Sequence, residues 1–236
     1  MTVQVLYKKA SNLAIFKNLV IFTNEKFQVD HLKKELPLKD FFLIKNFLKN
    51  KDYLKKKIIN FNLNSNQTVI LVSLKKNLSS NEIEKIGANF FEFIKNHSFF
   101  ETSIFYESIK INQLREESLD EFLHGLQLKS YDFNVYKSKK NKNNFKINII
   151  SKKIKNNFSY NKNFKAIEIG VNFTRDLVSE PPNVLTPKEY VKRLLKLRKH
   201  GIKVTVYNET SLKKLKMFSL LGVGQGSINE SYLVTL

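Results

Sequence analysis

Three of the four prolines in this chain fall within thirteen residues, Arg175 to Pro187, and no other stretch limits the fold as much. Pro181 and Pro182 have no backbone N–H and push the residue before them out of the α region. The helical spacing of Ile167, Val171, Thr174 and Val178 therefore cannot continue past Glu180. A second helix is predicted to open at once. Thr186 is a suitable N-cap, Pro187 stands where the first helical N–H would be orphaned anyway, and Glu189, three residues after the cap, completes a capping-box pattern. On these residues the stretch is a rigid corner between two helices.

Ahead of the corner, strand and helix patterns alternate. Thr2 to Tyr7 reads as an opening or edge strand, and Leu13 to Phe16 and Leu19 to Thr23 as a pair of short apolar runs. Leu38 to Lys49 offers Phe41, Phe42, Ile44, Phe47 and Leu48 as a helix face, and the lysines at 55 to 57 read as a solvated surface. Ile58 to Asn62 and Thr68 to Leu74 read as strands, the second an almost unbroken apolar run of the kind covered on both faces. Ser79 and Glu82 form a capping box ahead of Ile83, Ile86, Phe90 and Ile94 at helical spacing, and the stripe of Phe90, Phe91 and Phe93 is core packing. Ser103 to Tyr106 is a strand, Leu119 to Leu126 a helix, and Phe145 to Ser151 a last strand. This alternation predicts a three-layer α/β domain over residues 1–151.

Behind it the composition shifts. From Lys137 to Lys165 there is no acidic residue, and ten lysines are interleaved with asparagine and with Phe145, Phe158 and Tyr160. Basic and aromatic residues together can bind single strands. Residues 152–163 have little to bury, and we read them as a solvated basic linker. Five of the seven glycines lie at or beyond Gly170. Tyr190, Val191, Leu194 and Leu195 form the buried stripe of the helix opened by Thr186, which His200 and Gly201 close. Ile202 to Tyr207 reads as a strand, Ser211 to Lys216 as a short helix and Tyr232 to Leu236 as a strand. Residues 164–236 thus begin a second α/β unit.

Chemistry is hard to place on these residues. Gly222-Val223-Gly224-Gln225-Gly226-Ser227 invites a phosphate-loop reading, but its glycines lead toward a strand, and no lysine follows the last of them. It reads as a turn. His31, His97, His124 and His200 are widely separated, with none at i, i+4 around a glutamate, so no zinc site is recognisable. Glu116, Glu117, Asp120 and Glu121 read as the exposed, dipole-favoured start of a helix rather than as an acid/base cluster. No catalytic, cofactor-binding or metal-binding residue is nominated.

The net charge of +20 raises nucleic acid as a partner, but the excess is nearly all lysine. Only Arg115, Arg175, Arg193 and Arg198 could supply the bidentate contacts that base and phosphate recognition favour, so nucleic acid is not the expected partner. Cysteine is absent, which excludes disulfides and thiolate chemistry. No uncharged apolar run is long enough to span a membrane, and a cytoplasmic location is expected.

The wording of the corner carries more than its physics. Arg175, Leu177, Val178, Glu180, Pro181, Pro182, Asn183, Thr186 and Pro187 match a segment of the leucyl aminopeptidase (cytosol aminopeptidase) family, with Ser179 where asparagine is usual. Leu220 to Ser227 is similar to the family's Leu-Leu-x-Val-Gly-Gln-Gly-Ser turn. Gly125 to Phe133, with Tyr136 and Lys137 behind, resembles its Gly-Leu-x-Leu-x-Ser-Tyr-x-Phe segment. The resemblance implies an N-terminal α/β domain of macro type followed by the incomplete start of a metallopeptidase catalytic domain. It also implies a hydrolase that uses two divalent ions, manganese or zinc, to release N-terminal residues from peptide substrates, and a homo-hexamer. The family's metal ligands begin beyond the strand matching Tyr232 to Leu236, so this chain is expected to hold no metal and to be inactive by itself. The alternative is a non-catalytic macro-like interaction module, binding nucleic acid through its lysine-rich linker.

Overall fold

Two strands are apolar on both faces, and the first domain is built on them. In β2 (Asn18–Asn24) and β4 (Gln67–Leu74), Leu19 to Phe22 and Val69 to Val72 are wholly inaccessible to solvent. Alternation sends Val20, Phe22, Ile70 and Val72 to one face, and Leu19, Ile21, Val69 and Leu71 to the other. A sheet with two such faces needs a layer of helices on each side.

The computed structural model describes residues 2–10, 12–49, 53, 56–110, 115, 117–139, 143–152 and 160–236. These divide into two compact units, residues 1–172 and 173–236. In the first, β1 (Thr2–Lys9), β3 (Ile58–Asn64), β5 (Glu101–Phe105) and β6 (Asn144–Ser151) join β2 and β4 in one sheet ordered β1-β6-β5-β2-β4-β3. All neighbours are parallel except β3, which pairs antiparallel with β4 and forms one edge; β1 forms the other. A 3-10 turn (Asp30–Lys34) and α1 (Leu38–Phe47) cover one face with Leu32, Phe41 and Ile44. The other face is covered by α2 (Ser80–Asn96) and α4 (Ser118–Lys129), after the short α3 (Glu107–Lys110). The expected three-layer α/β domain is therefore present.

Helices α2 and α4 touch backbone to backbone. A Cβ on Gly87 would lie 1.9 Å from the carbonyl oxygen of Phe122, and one on Gly125 would lie 1.9 Å from that of Glu84. Only hydrogen fits at either point. Helix α2 starts in the capping box read from the sequence: the Glu82 N–H donates to Ser79 Oγ (3.4 Å), and the Ser79 N–H donates to the Glu82 carboxylate (2.9 Å).

The second unit contains the end of α5 (Lys162–Ser179), then α6 (Pro187–Leu195), a 3-10 turn (Lys196–His200), β7 (Thr205–Tyr207), α7 (Glu209–Lys214), α8 (Phe218–Gly224) and β8 (Leu233–Thr235). Gly201 closes the turn with φ at 81°, the left-handed region that glycine enters freely. Strands β7 and β8 pair antiparallel over three residues each. The expected strands from Ile202 and Tyr232 are shortened because each keeps strand geometry only where the other supplies hydrogen bonds.

Two further expectations need correction. Gly222 and Gly224 do not lie in a turn: they end helix α8, and the turn starts at Gln225. Tyr160, assigned to the solvated linker, is half-buried against the core of the first unit, and Lys162 and Asn163 already belong to α5. The rest of the linker, 153–159, lies outside the described residues, as does Glu116.

Candidate functional site

The corner between α5 and α6 is the best-defined polar construction in the second unit. Pro181 ends α5 and its carbonyl accepts from the N–H groups of Val184 and Leu185, both at 2.9 Å, so the chain reverses in one tight turn. Thr186 Oγ1 then caps α6 by accepting from the Glu189 N–H at 3.3 Å. The return half of the expected capping box does not form. Glu189 instead accepts from Arg193 Nε at 3.2 Å and faces Lys192 Nζ at 3.6 Å, because both lie on its own helix face at i+4 and i+3.

Arg193 ties the corner together. Its other guanidinium nitrogen donates to Glu180 at 2.8 Å, the side chains being 20% and 8% exposed. The residue before the two prolines is thereby held to the helix after them. Hydrogen bonds to Glu180 and then Glu189 push the Arg193 pKa up, and the bond from Arg193, ahead of the weaker Lys192 contributions, holds the Glu189 carboxyl below its ordinary value. No proton moves here near neutrality: the corner is a brace, not an acid/base device.

The glycine motif is equally structural. Gly224 packs against Ser231, where a Cβ would come within 2.0 Å of the hydroxyl. The segment after it leads through Ser231 to β8 and opens no helix, so it is no phosphate cradle. In the first unit, Gly125 of the other matched segment is the backbone contact with α2. Its aspartate, Asp132, pairs with Lys137 at 3.0 Å.

Candidate ligands do not converge. His31 is half-buried with its pKa lowered by burial, while His97 and His200 are exposed. His124 is buried, with its ring nitrogen 3.1 Å from Tyr160 Oη and its ring 4.9 Å from that of Phe164. Of the carboxylates expected on the exposed start of a helix, Glu121 is in fact buried and held by Arg115 at 3.0 Å. Asp120 is half-buried, and burial raises its pKa. Among the described residues no three histidine, aspartate or glutamate side chains could hold a metal ion. The pairing of Glu121 was not legible beforehand, because Arg115 lies ahead of α4 and no helical spacing relates the two residues.

Residues 172–236, which contain the brace and the glycine motif, match the model of the cytosol aminopeptidase family, catalytic domain. A probable cytosol aminopeptidase of Rhizobium leguminosarum bv. trifolii (strain WSM2304) is 31% identical over 178 residues, 72% of this chain and 35% of that protein. The chain belongs to the cytosol aminopeptidase family. Among solved structures, a tomato leucine aminopeptidase mutant superposes with a TM-score of 0.77 at 19% identity, over 99% of this chain and 50% of its own. The bottromycin maturation enzyme BotP in complex with Mn gives 0.61 at 15% identity, over 92% and 44%. At these identities they speak for the fold, an α/β architecture with a mostly parallel sheet. The chain spans about a third of the curated relative's length and half of the tomato protein's. Among the described residues, no helix is long and apolar enough to cross a membrane.

Proposed function

We propose that this chain is the N-terminal domain and the opening of the catalytic domain of a metal-dependent aminopeptidase that releases N-terminal residues from peptides. The supporting observation is the Glu180–Arg193 brace across the proline corner, which lies within the segment matched to the family's catalytic domain. In this reading residues 1–151 are a macro-like domain, a basic connection follows and runs into α5, and the segment matched to the catalytic-domain model, 172–236, is the start of the peptidase domain. The whole enzyme works as a cytoplasmic homo-hexamer with two manganese or zinc ions per active site.

Such ions supply Lewis-acid polarisation and a metal-bound water nucleophile. The described residues do not fit them, since no three suitable donors come together. No step of hydrolysis is therefore assigned to this chain. What its residues do is hold the start of α6 to the end of α5 through the Glu180–Arg193 pair. The 236-residue protein, purified and given leucine p-nitroanilide with excess Mn²⁺, is expected to show no turnover. Turnover that rises with added metal and disappears with a chelator would overturn the reading.

A further inference from the structure

On the first unit, one face of α2 forms the wall of two adjoining concavities, and their linings differ in character. Glu82, Lys85, Ile86, Asn89, Phe93 and His97 recur at spacings of three and four, which aligns them along a single side of the helix. Near the start of that helix, a concavity of about 340 Å³ is lined by Lys56, Lys57, Lys75 and Lys85, with Glu25 and Glu82 as the opposing charges. Toward its end, a concavity of about 580 Å³ lies against the edge strand β3 and is lined by Phe47, Tyr53, Phe93 and His97. Lys56 lines both.

The ring end is prepared for a flat partner. Phe93 and His97 lie 4.2 Å apart with planes 30° from parallel, and Phe47 and Tyr53 lie 6.3 Å apart at 17°. Each pair keeps its own rings roughly parallel, and His97 and Phe47 are exposed. The lysine end is prepared for an anion. Lys75 is 3.7 Å from Glu25, whereas Lys56, Lys57 and Lys85 make no ion pair among the described residues. Lys85 and Phe93 are eight residues apart, about 12 Å along a helix, which is the span from a base to the outer phosphates of an extended nucleotide.

We propose that this groove between α2 and β3 binds a nucleoside polyphosphate, with the base among the rings and the phosphates among the lysines. Both volumes fall in the range of small-molecule sites rather than of an open polynucleotide track. Ring stacking contributes affinity without regard to the base, and lysines contact phosphate as point charges, so the site selects the class of ligand more strongly than the base. Nucleotide binding at this groove does not depend on peptide hydrolysis. The lysines at 56 and 57 thereby take a role that their solvated appearance in the sequence concealed.

The test is calorimetric titration of the whole 236-residue protein with ATP, adenosine and tripolyphosphate at physiological salt. ATP is expected to bind once per chain, at least about tenfold more tightly than either part. The Lys57→Ala/Lys85→Ala variant should weaken ATP by about tenfold and leave adenosine unchanged. His97→Ala, at an exposed helix end where truncation should not unfold the domain, should weaken ATP and adenosine while leaving tripolyphosphate unchanged. Thermal melting of each variant confirms that it remains folded. The proposal fails if ATP shows no saturable binding at millimolar concentration, or if tripolyphosphate binds as tightly as ATP. It fails equally if a thymidine oligonucleotide binds while ATP does not, which would leave a merely basic surface.

Discussion

The two units solve the same problem to different degrees. In the first, six strands carry helices on both faces, and residues such as Phe22, Ile70, Phe90, Phe122 and Ile147 reach zero exposure. In the second, two three-residue strands form the whole sheet, and its buried apolar residues are Leu177, Val191, Leu194, Val204 and Leu212. Meanwhile Val178, Phe218, Val223, Ile228 and Leu236 are more than half exposed. The second unit nevertheless has side-chain caps at Thr186 and Asn208, the Glu180–Arg193 brace and a glycine contact at Gly224. Correct local structure therefore does not create a core; a sheet wide enough to be covered does.

The contrast can be broken most directly by cavities. Phe122 packs edge-on to Phe22 at 5.1 Å and against Phe90 at 5.3 Å, so Phe122→Ala should cost about 3–5 kcal/mol. Leu212→Ala, at the best-buried residue of the second unit, should cost nearer 2 kcal/mol, because fewer buried neighbours hold its cavity open. Urea unfolding of both variants decides the matter, and equal costs would end the distinction. A second comparison uses added volume. Gly125→Ala drives a methyl into the backbone of Glu84 and should cost about 3 kcal/mol, whereas Gly224→Ala meets only the movable Ser231 hydroxyl and should stay within about 0.5 kcal/mol.

Caps give a smaller and sharper test. Ser79→Ala removes a hydroxyl that both accepts from the Glu82 N–H and donates to the Glu82 carboxylate, leaving only the backbone arm of the box, and should lower stability by about 1–2 kcal/mol, while Thr186→Ala removes a single hydrogen bond and should lower it by about 0.5–1 kcal/mol. The smallest effect is in pH. Burial lowers the pKa of His31 from its ordinary 6.5, against the upward pull of Asp30 and Glu35. The unfolded chain thus takes up the proton first. Stability from this group is complete above pH 6.5 and is lost as pH falls from there to the lowered folded value. His31→Gln should flatten that part of the urea midpoint profile in the first unit, and an unchanged slope would remove His31 as its source.

Much of the architecture could be read directly from residue order. The strands from Leu19, Thr68 and Phe145 are run-length signals, and the helix starts at Ser79 and Thr186 are cap signals, all local. Glu121 and Tyr160 differ from their sequence reading because no periodic pattern links them to their partners: Arg115 lies ahead of α4, and Tyr160, beyond β6, meets His124 of α4. The lysine and ring groove was invisible for the same reason, since β3 and α2 are brought together by the antiparallel return of β3 beside β4.

By itself the sequence determined where helices start and stop, since capping and proline exclusion act within four residues, and it also carried the family wording of the corner. The tertiary structure decided which charges are buried, which glycines must be glycines and where a ligand could fit. Each of those depends on what a distant segment places within a few ångströms, and neighbouring residues in the chain cannot specify that.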